Sequence, residues 1–187
     1  MSPHTGRLIL TSRDPFAAPD LEVARALLRS CGFIGEALPG RRDAYRTGEN
    51  FLALVVFAGC SVQVDLTPAA DPNARFCHVR ISGPYPAPRL ASGRNTRPPR
   101  CPSCRAPLRD WRRALEEGDG GALACPACHQ SAPPWEWDWK RSAGYGRLFL
   151  QVEEVFPGEA EPSSRLMRLL SDIAPGAGWR HFFVQEL

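Results

Sequence analysis

An α+β fold, with a mixed or antiparallel sheet, two packing helices and an inserted cysteine-rich module, is predicted by three observations. Two segments carry apolar residues at helical spacing. Several others carry them at strand spacing, and the order strand, helix, strand, strand, cysteine insert, strand, helix, strand suits a sheet-and-helix sandwich. Two CxxC pairs, Cys101/Cys104 and Cys125/Cys128, interrupt that order at its midpoint.

The first strand is expected over Arg7–Thr11. A helix follows over residues 20–31, where Asp20 can cap the first turn and Leu21, Ala24, Leu28 and Cys31 share a face, with Gly32 as its stop. Phe51–Phe57 is apolar on both parities and is expected to be a central strand buried on two faces. Residues 75–82 alternate, with Cys77, Val79 and Ile81 opposite Phe76, His78 and Arg80. Between Gly83 and Arg100 stand five prolines and four arginines, a composition expected of an extended, poorly packed linker. Past the cysteines, Arg147–Phe156 is expected as a strand, Pro162–Ile173 as a helix striped by Leu166, Leu169, Leu170 and Ile173, and Trp179–Leu187 as a closing strand. This organisation assigns 1–83 and 142–187 to one α+β body, 84–100 to the linker and 101–141 to the insert.

A chain of 187 residues, 43% hydrophobic and 23% charged, has the composition of a folded domain rather than of a disordered, collagenous or coiled-coil chain. Its longest apolar run, Phe51–Cys60, is half of the about 20 residues a membrane span needs, so no membrane association is expected. Met1–Arg7 leads into only three apolar residues and does not read as a secretory signal, which makes a reducing cytoplasm the expected compartment. The net charge of +3 is unevenly placed: residues 87–147 carry eleven basic and six acidic groups, whereas 148–187 carry three and six. Of 23 basic residues only Lys140 is a lysine, and with abundant Ala, Gly and Pro this suggests a GC-rich coding bias as one source of the arginines.

Cys101-Pro-Ser-Cys104 and Cys125-Pro-Ala-Cys128 are separated by 20 residues. A CxxC turn directs two thiolates to one side, and zinc takes four soft ligands in a tetrahedron, so two such turns complete a closed structural site. Glu116–Gly121 is expected to form a hairpin tip between them. Residues 101–140 resemble a zinc ribbon, and the resemblance implies one structural Zn2+ held by the four cysteines. Ribbons often place glycine after the second cysteine of each turn, where this chain has Arg105 and His129. Cys125–His129 also satisfies the CxxCH pattern of c-type haem, which is attached after export, and a thioredoxin-like motif would need a helix where Pro107, Gly118, Gly120 and Gly121 crowd the chain. Disulfides are disfavoured by a reducing compartment. Cys31, Cys60 and Cys77 are expected as small hydrophobes, and His78 and His129 as bystanders.

Trp135, Trp137 and Trp139 alternate with Glu136 and Asp138, and on an extended chain the indoles share one face. They are expected either to dock the module onto the body, the preferred reading, or to stack on bases. Eight arginines fall within residues 89–113 against one acid, Asp110. Guanidinium forks match phosphate oxygens, although four thiolates on one zinc lower the charge of this region by two. Arg97, Arg100, Arg112 and Arg113, with Trp111 and Trp137 as stacking groups, are therefore the candidate partner-binding residues.

No GxSxG, Walker loop or HExxH occurs, and Gly144-Tyr145-Gly146 reads as a turn. No catalytic residue is assigned; Asp65 and Glu154 are the best candidates for a buried acid pair. The sequence thus favours a zinc-containing binding protein with nucleic acid as partner. A protein–protein adaptor is the alternative, suggested by the acidic C-terminal third, and a metal-dependent hydrolase using body carboxylates is the second.

Overall fold

The computed structural model describes residues 6–58, 64–67, 75–118, 121–156 and 158–185. In chain order these form β1 (Gly6–Ser12), α1 (Leu21–Ser30), β2 (Ile34–Ala37), β3 (Ala44–Thr47), α2 (Phe51–Leu54), β4 (Val55–Phe57), β5 (His78–Ser82) and β6 (Arg89–Ala91). There follow α3 (Trp111–Glu117), β7 (Leu123–Ala124), β8 (Ser131–Ala132), a 3-10 turn (Pro134–Glu136), β9 (Gly144–Gly146), β10 (Phe149–Val155), β11 (Ala160–Pro162), α4 (Ser164–Ile173) and β12 (Trp179–Gln185). The fold is α+β. No helix among the described residues is long and apolar enough to cross a membrane.

Six strands make one antiparallel sheet in the order β12-β1-β10-β5-β3-β2. Its first four strands with α1 and α4 follow the split β-α-β-β-α-β plan, and β3 and β2 extend it beyond β5. Both helices start as their sequences dictate. The Asp20 carboxylate accepts from the Glu22 and Val23 amides, and the Ser163 hydroxyl accepts from Leu166 N–H, so each satisfies donors the first turn leaves unpaired. The helices pack together on one face of the sheet, where Leu8, Leu10, Leu28, Val79, Leu150, Val152, Leu166 and Leu170 form the main core.

Strand alternation sends Ile9, Phe149, Phe182 and Val184 to the opposite face, where they meet Tyr85 and Ala91. The proline- and arginine-rich segment thus covers the second sheet face, which corrects the expectation that it is poorly packed. Strand β6 pairs with β9, Tyr85 N–H donates to the Arg147 carbonyl (2.8 Å), and the buried Thr96 hydroxyl donates to the Ser142 carbonyl (3.0 Å). Asn95 seals part of the sheet edge: its Nδ2 donates to the Phe183 carbonyl (3.0 Å) and its Oδ1 accepts from Gln185 N–H (2.9 Å).

Two other expectations also fail. Phe51–Phe57 is not a central strand: Phe51–Leu54 winds one helical turn, and among the described residues Val55–Phe57 pairs only with β11. Phe51 and Leu54 are buried and Leu52 is exposed, the i, i+3 spacing of a helical turn, which a run apolar at every position accommodates as readily as strand alternation. Gly144–Gly146 is a strand, not a turn. Its glycines are required by close approach, since a Cβ would lie 2.6 Å from the Phe182 ring at Gly144 and 2.1 Å from Thr11 Oγ1 at Gly146.

Candidate metal centre

Two turns of the same construction bring the four cysteines together. In the first, Cys101 N–H donates to the Ala106 carbonyl (2.9 Å) and Arg105 N–H to the Cys101 carbonyl (3.1 Å). In the second, Cys125 N–H donates to the Gln130 carbonyl (2.9 Å) and His129 N–H to the Cys125 carbonyl (2.9 Å). Arg105 (φ 66°) and His129 (φ 58°) adopt the left-handed conformation that glycine takes most readily, so both turns form here with a non-glycine residue at that position. A bridge between Arg100 and Pro107 closes the first turn, and pairing of β7 with β8 closes the second.

All four Sγ atoms lie within 4.8 Å of one another. Cys101 and Cys128 Sγ are 3.8 Å apart, and Cys104 and Cys125 Sγ are 3.6 Å apart. Zinc–sulfur bonds of about 2.3 Å at a tetrahedral centre require sulfurs roughly 3.8 Å apart, so the thiol spacing fits. The backbone N–H of Cys104 draws the Cys101 thiol down to about 6. At Cys125 burial opposes ionisation but is outweighed by the Cys128 and Ala127 amides, which lower it. At Cys128 the Gln130 amide favours the thiolate, yet burial and the neighbouring sulfurs push it up to about 12. Without a cation, the cluster resists holding four thiolates together.

No known protein family, curated protein or solved structure matches this chain.

The tryptophans build the floor beneath the thiols. Trp111, Trp137 and Trp139 are buried, and with Leu108, Leu123, Cys101 and Cys125 they form a second hydrophobic cluster. Trp139 packs edge-on against Trp111 at 5.2 Å, and its Nε1 donates to the Pro134 carbonyl (2.9 Å). Trp135, half-buried, reaches Phe16 at 5.0 Å and Tyr145 at 6.2 Å. The 3-10 turn at Pro134–Glu136 breaks the extended stripe that alternation predicts. Burial leaves Trp111 and Trp137 no open face for stacking, so of the two readings of the indoles the geometry supports docking.

Arg97, Arg100, Arg112 and Arg113 are all exposed but do not form one surface. Arg97 and Arg100 share a cleft of about 310 Å³ with Arg109 and Lys140. Arg112 instead lies over the Trp111 ring (4.3 Å), and Arg113 pairs with Glu117 (3.9 Å). Asp138 ties this region together: its backbone pairs with Arg100, and its carboxylate meets Arg105 (2.6 Å) and Lys140 (2.8 Å). Burial would raise the Asp138 carboxyl, but the Lys140 and Arg105 hydrogen bonds overcome this and hold it at about 2. Sequence spacing brought Arg97 and Arg100 to notice but not Lys140, whose place depends on the chain returning past the first cysteine turn. Helix α3, between the CxxC pairs, was likewise missed, because its seven residues are too few for a periodic signal.

Elsewhere, Cys77 is buried in the main core and burial pushes its thiol up to about 12; Cys31 is half-buried beside that core. Cys60 lies outside the described residues. Asp65 is exposed, so the two candidates for a buried acid pair, Asp65 and Glu154, do not form one. Glu154 occupies a β-bulge at φ 59°, the extra residue opposite Gly6–Arg7, and the bulge delivers Glu153 instead to a buried position beside Arg80 (3.4 Å) and Arg7 (3.8 Å).

Proposed function

We propose that the chain is a binding protein whose inserted module is a zinc ribbon, with one structural Zn2+ on Cys101, Cys104, Cys125 and Cys128, and that its partner is nucleic acid. The four-thiol cluster supports the metal: the donors are soft, four in number and all within 4.8 Å of one another, the set zinc prefers for a closed, non-catalytic site. The observation that carries the partner reading is the cleft between the linker and the first cysteine turn. Arg97, Arg100 and Arg109 line it, and among the described residues none of the three pairs with a carboxylate. Arg100 also donates to the Arg105 carbonyl (3.2 Å), but a guanidinium that meets no carboxylate keeps its charge available for phosphate oxygens.

If this cleft and its surroundings contact four to six phosphates of a single strand, log affinity falls against log salt with a slope of about −3 to −4, at about 0.7 per phosphate. Titration of a labelled single-stranded oligonucleotide at several salt concentrations measures it. Combined reversal of Arg97, Arg100 and Arg109 to Glu is expected to abolish binding with the zinc content intact, whereas reversal of Arg113, already paired with Glu117, is expected to change little. Weak, non-saturating binding that heparin reproduces would overturn the nucleic-acid reading. It would favour the protein-adaptor alternative, for which Leu52 and Val56, exposed to 59% and 52% around α2 and β4, offer an apolar surface.

A further inference from the structure

A second basic site lies on the other side of the Asp138 turn, where the module meets the edge of the main sheet. A cleft of about 450 Å³ there is lined by Arg13, just past β1, by Arg180 and His181 of β12, and by Lys140 and Arg141. Three of these groups are answered. Lys140 pairs with Asp138 (2.8 Å), and Arg141 and His181 both pair with Glu161 (2.9 Å each).

Arg13 and Arg180 are not. Arg13 Nε donates to the Trp179 carbonyl (3.1 Å) and Arg180 Nη2 to the Tyr145 carbonyl (2.7 Å), and among the described residues neither meets a carboxylate. Arg180 Nε and the indole N–H of Trp179, which also lines the cleft, are buried without a hydrogen-bond partner. Unpaired buried donors are costly in a folded chain, and a pair of them beside two unneutralised guanidinium groups marks a place built for acceptor oxygens. Burial, with repulsion from Arg13, pushes the Arg180 guanidinium below its ordinary value. The cleft wall is also strained: Lys140 (φ 54°) and Arg141 (φ 56°) are successive non-glycine residues in the left-handed region. Such conformations persist only where surrounding contacts impose them and are concentrated at functional sites.

We propose that this cleft binds a compact dianion of the phosphate type, inorganic phosphate or the phosphomonoester end of a larger molecule. Two uncompensated guanidinium charges match a dianion, where a carboxylate would answer only one. One carboxylate, Asp138, also lines the cleft but is held by Arg105 and Lys140, and the groups left without a partner are donors, as phosphate oxygens require. The site is independent of the nucleic-acid reading, since a backbone phosphodiester carries a single charge and the arginine cleft at Arg97 is lined by different arginines.

The test is titration of the zinc-loaded full chain with inorganic phosphate and, separately, with a nucleoside monophosphate, at ionic strength held constant with chloride. Tryptophan fluorescence and the thermal midpoint are the readouts. Saturable binding is expected, weakened at least tenfold in Arg13→Gln, an exposed residue whose replacement leaves the core intact. Glu161→Gln is expected to tighten binding severalfold by releasing Arg141, a direction that a merely structural role would not produce. Tighter binding of the monophosphate would identify a phosphomonoester, and equal binding would identify phosphate itself. A response that chloride alone reproduces, or one unchanged in Arg13→Gln, would overturn the proposal.

Discussion

Cys104→Ser is expected to strip the chain of zinc and unfold residues 101–141 while leaving the six-stranded sheet standing. The buried cluster of the module contains two of the four clustered cysteines, Cys101 and Cys125, together with Leu108, Leu123 and the tryptophans, a small core for some 40 residues. Structural zinc supplies roughly 10–16 kcal/mol of apparent binding free energy in modules of this kind, more than so small a core provides. The main core draws on neither CxxC pair. Elemental analysis together with hydrogen exchange decides the matter: exchange should become fast across 101–141 and remain slow in β1, β5 and β10. Full metal content in the variant would defeat the assignment of Cys104. Acid should reproduce the effect, because the ligands must be thiolates: metal is retained at neutral pH and released as falling pH protonates them.

Trp139→Ala carries the second largest expected effect. Trp139 is 3% exposed, lies between Trp111 and Tyr145, and spends its indole N–H on the Pro134 carbonyl. Truncating a large buried aromatic costs about 3–5 kcal/mol, the lost transfer energy plus that of the cavity left behind. Concentrated in the small second cluster, this loss should destabilise the module and loosen its seat on Tyr145, seen as lost near-ultraviolet circular dichroism and weaker zinc retention against a chelator. Trp135→Ala, at a half-buried position, should cost far less. Equal behaviour of the two variants would show that the cluster does not hold the module.

The four-cysteine cluster was legible from the sequence because CxxC is a local device: four residues of chain suffice to set two sulfurs side by side, and spacing announces the second pair. Helices α1 and α4 were legible for the same reason, since an apolar stripe with Asp20 or Pro162 near its start is complete within a dozen residues, although only the structure shows that Ser163 caps the second. The Phe51–Phe57 run was not, because its apolar pattern fits a helical turn as well as a strand, and only packing against the main core and β11 decided between them.

What the tertiary structure alone decided are the properties that depend on what covers what. The indoles alternate in sequence as a binding stripe would, yet the 3-10 turn at Pro134 and the proximity of Tyr145 and Trp111 bury Trp137 and Trp139. The proline- and arginine-rich segment reads as a linker until the exposed face of the sheet, with Ile9, Phe149, Phe182 and Val184, is seen to need a cover. The arginines, indistinguishable by composition, are sorted by their neighbours: Arg113 is neutralised by Glu117, Arg112 rests on an indole, Arg97 and Arg100 stand open, and Arg13 meets Arg180 across more than 160 residues of chain. Local periodicity and ligand spacing are set by bonds between near neighbours; burial and the pairing of charges are set by residues far apart in sequence, and only the folded chain brings those together.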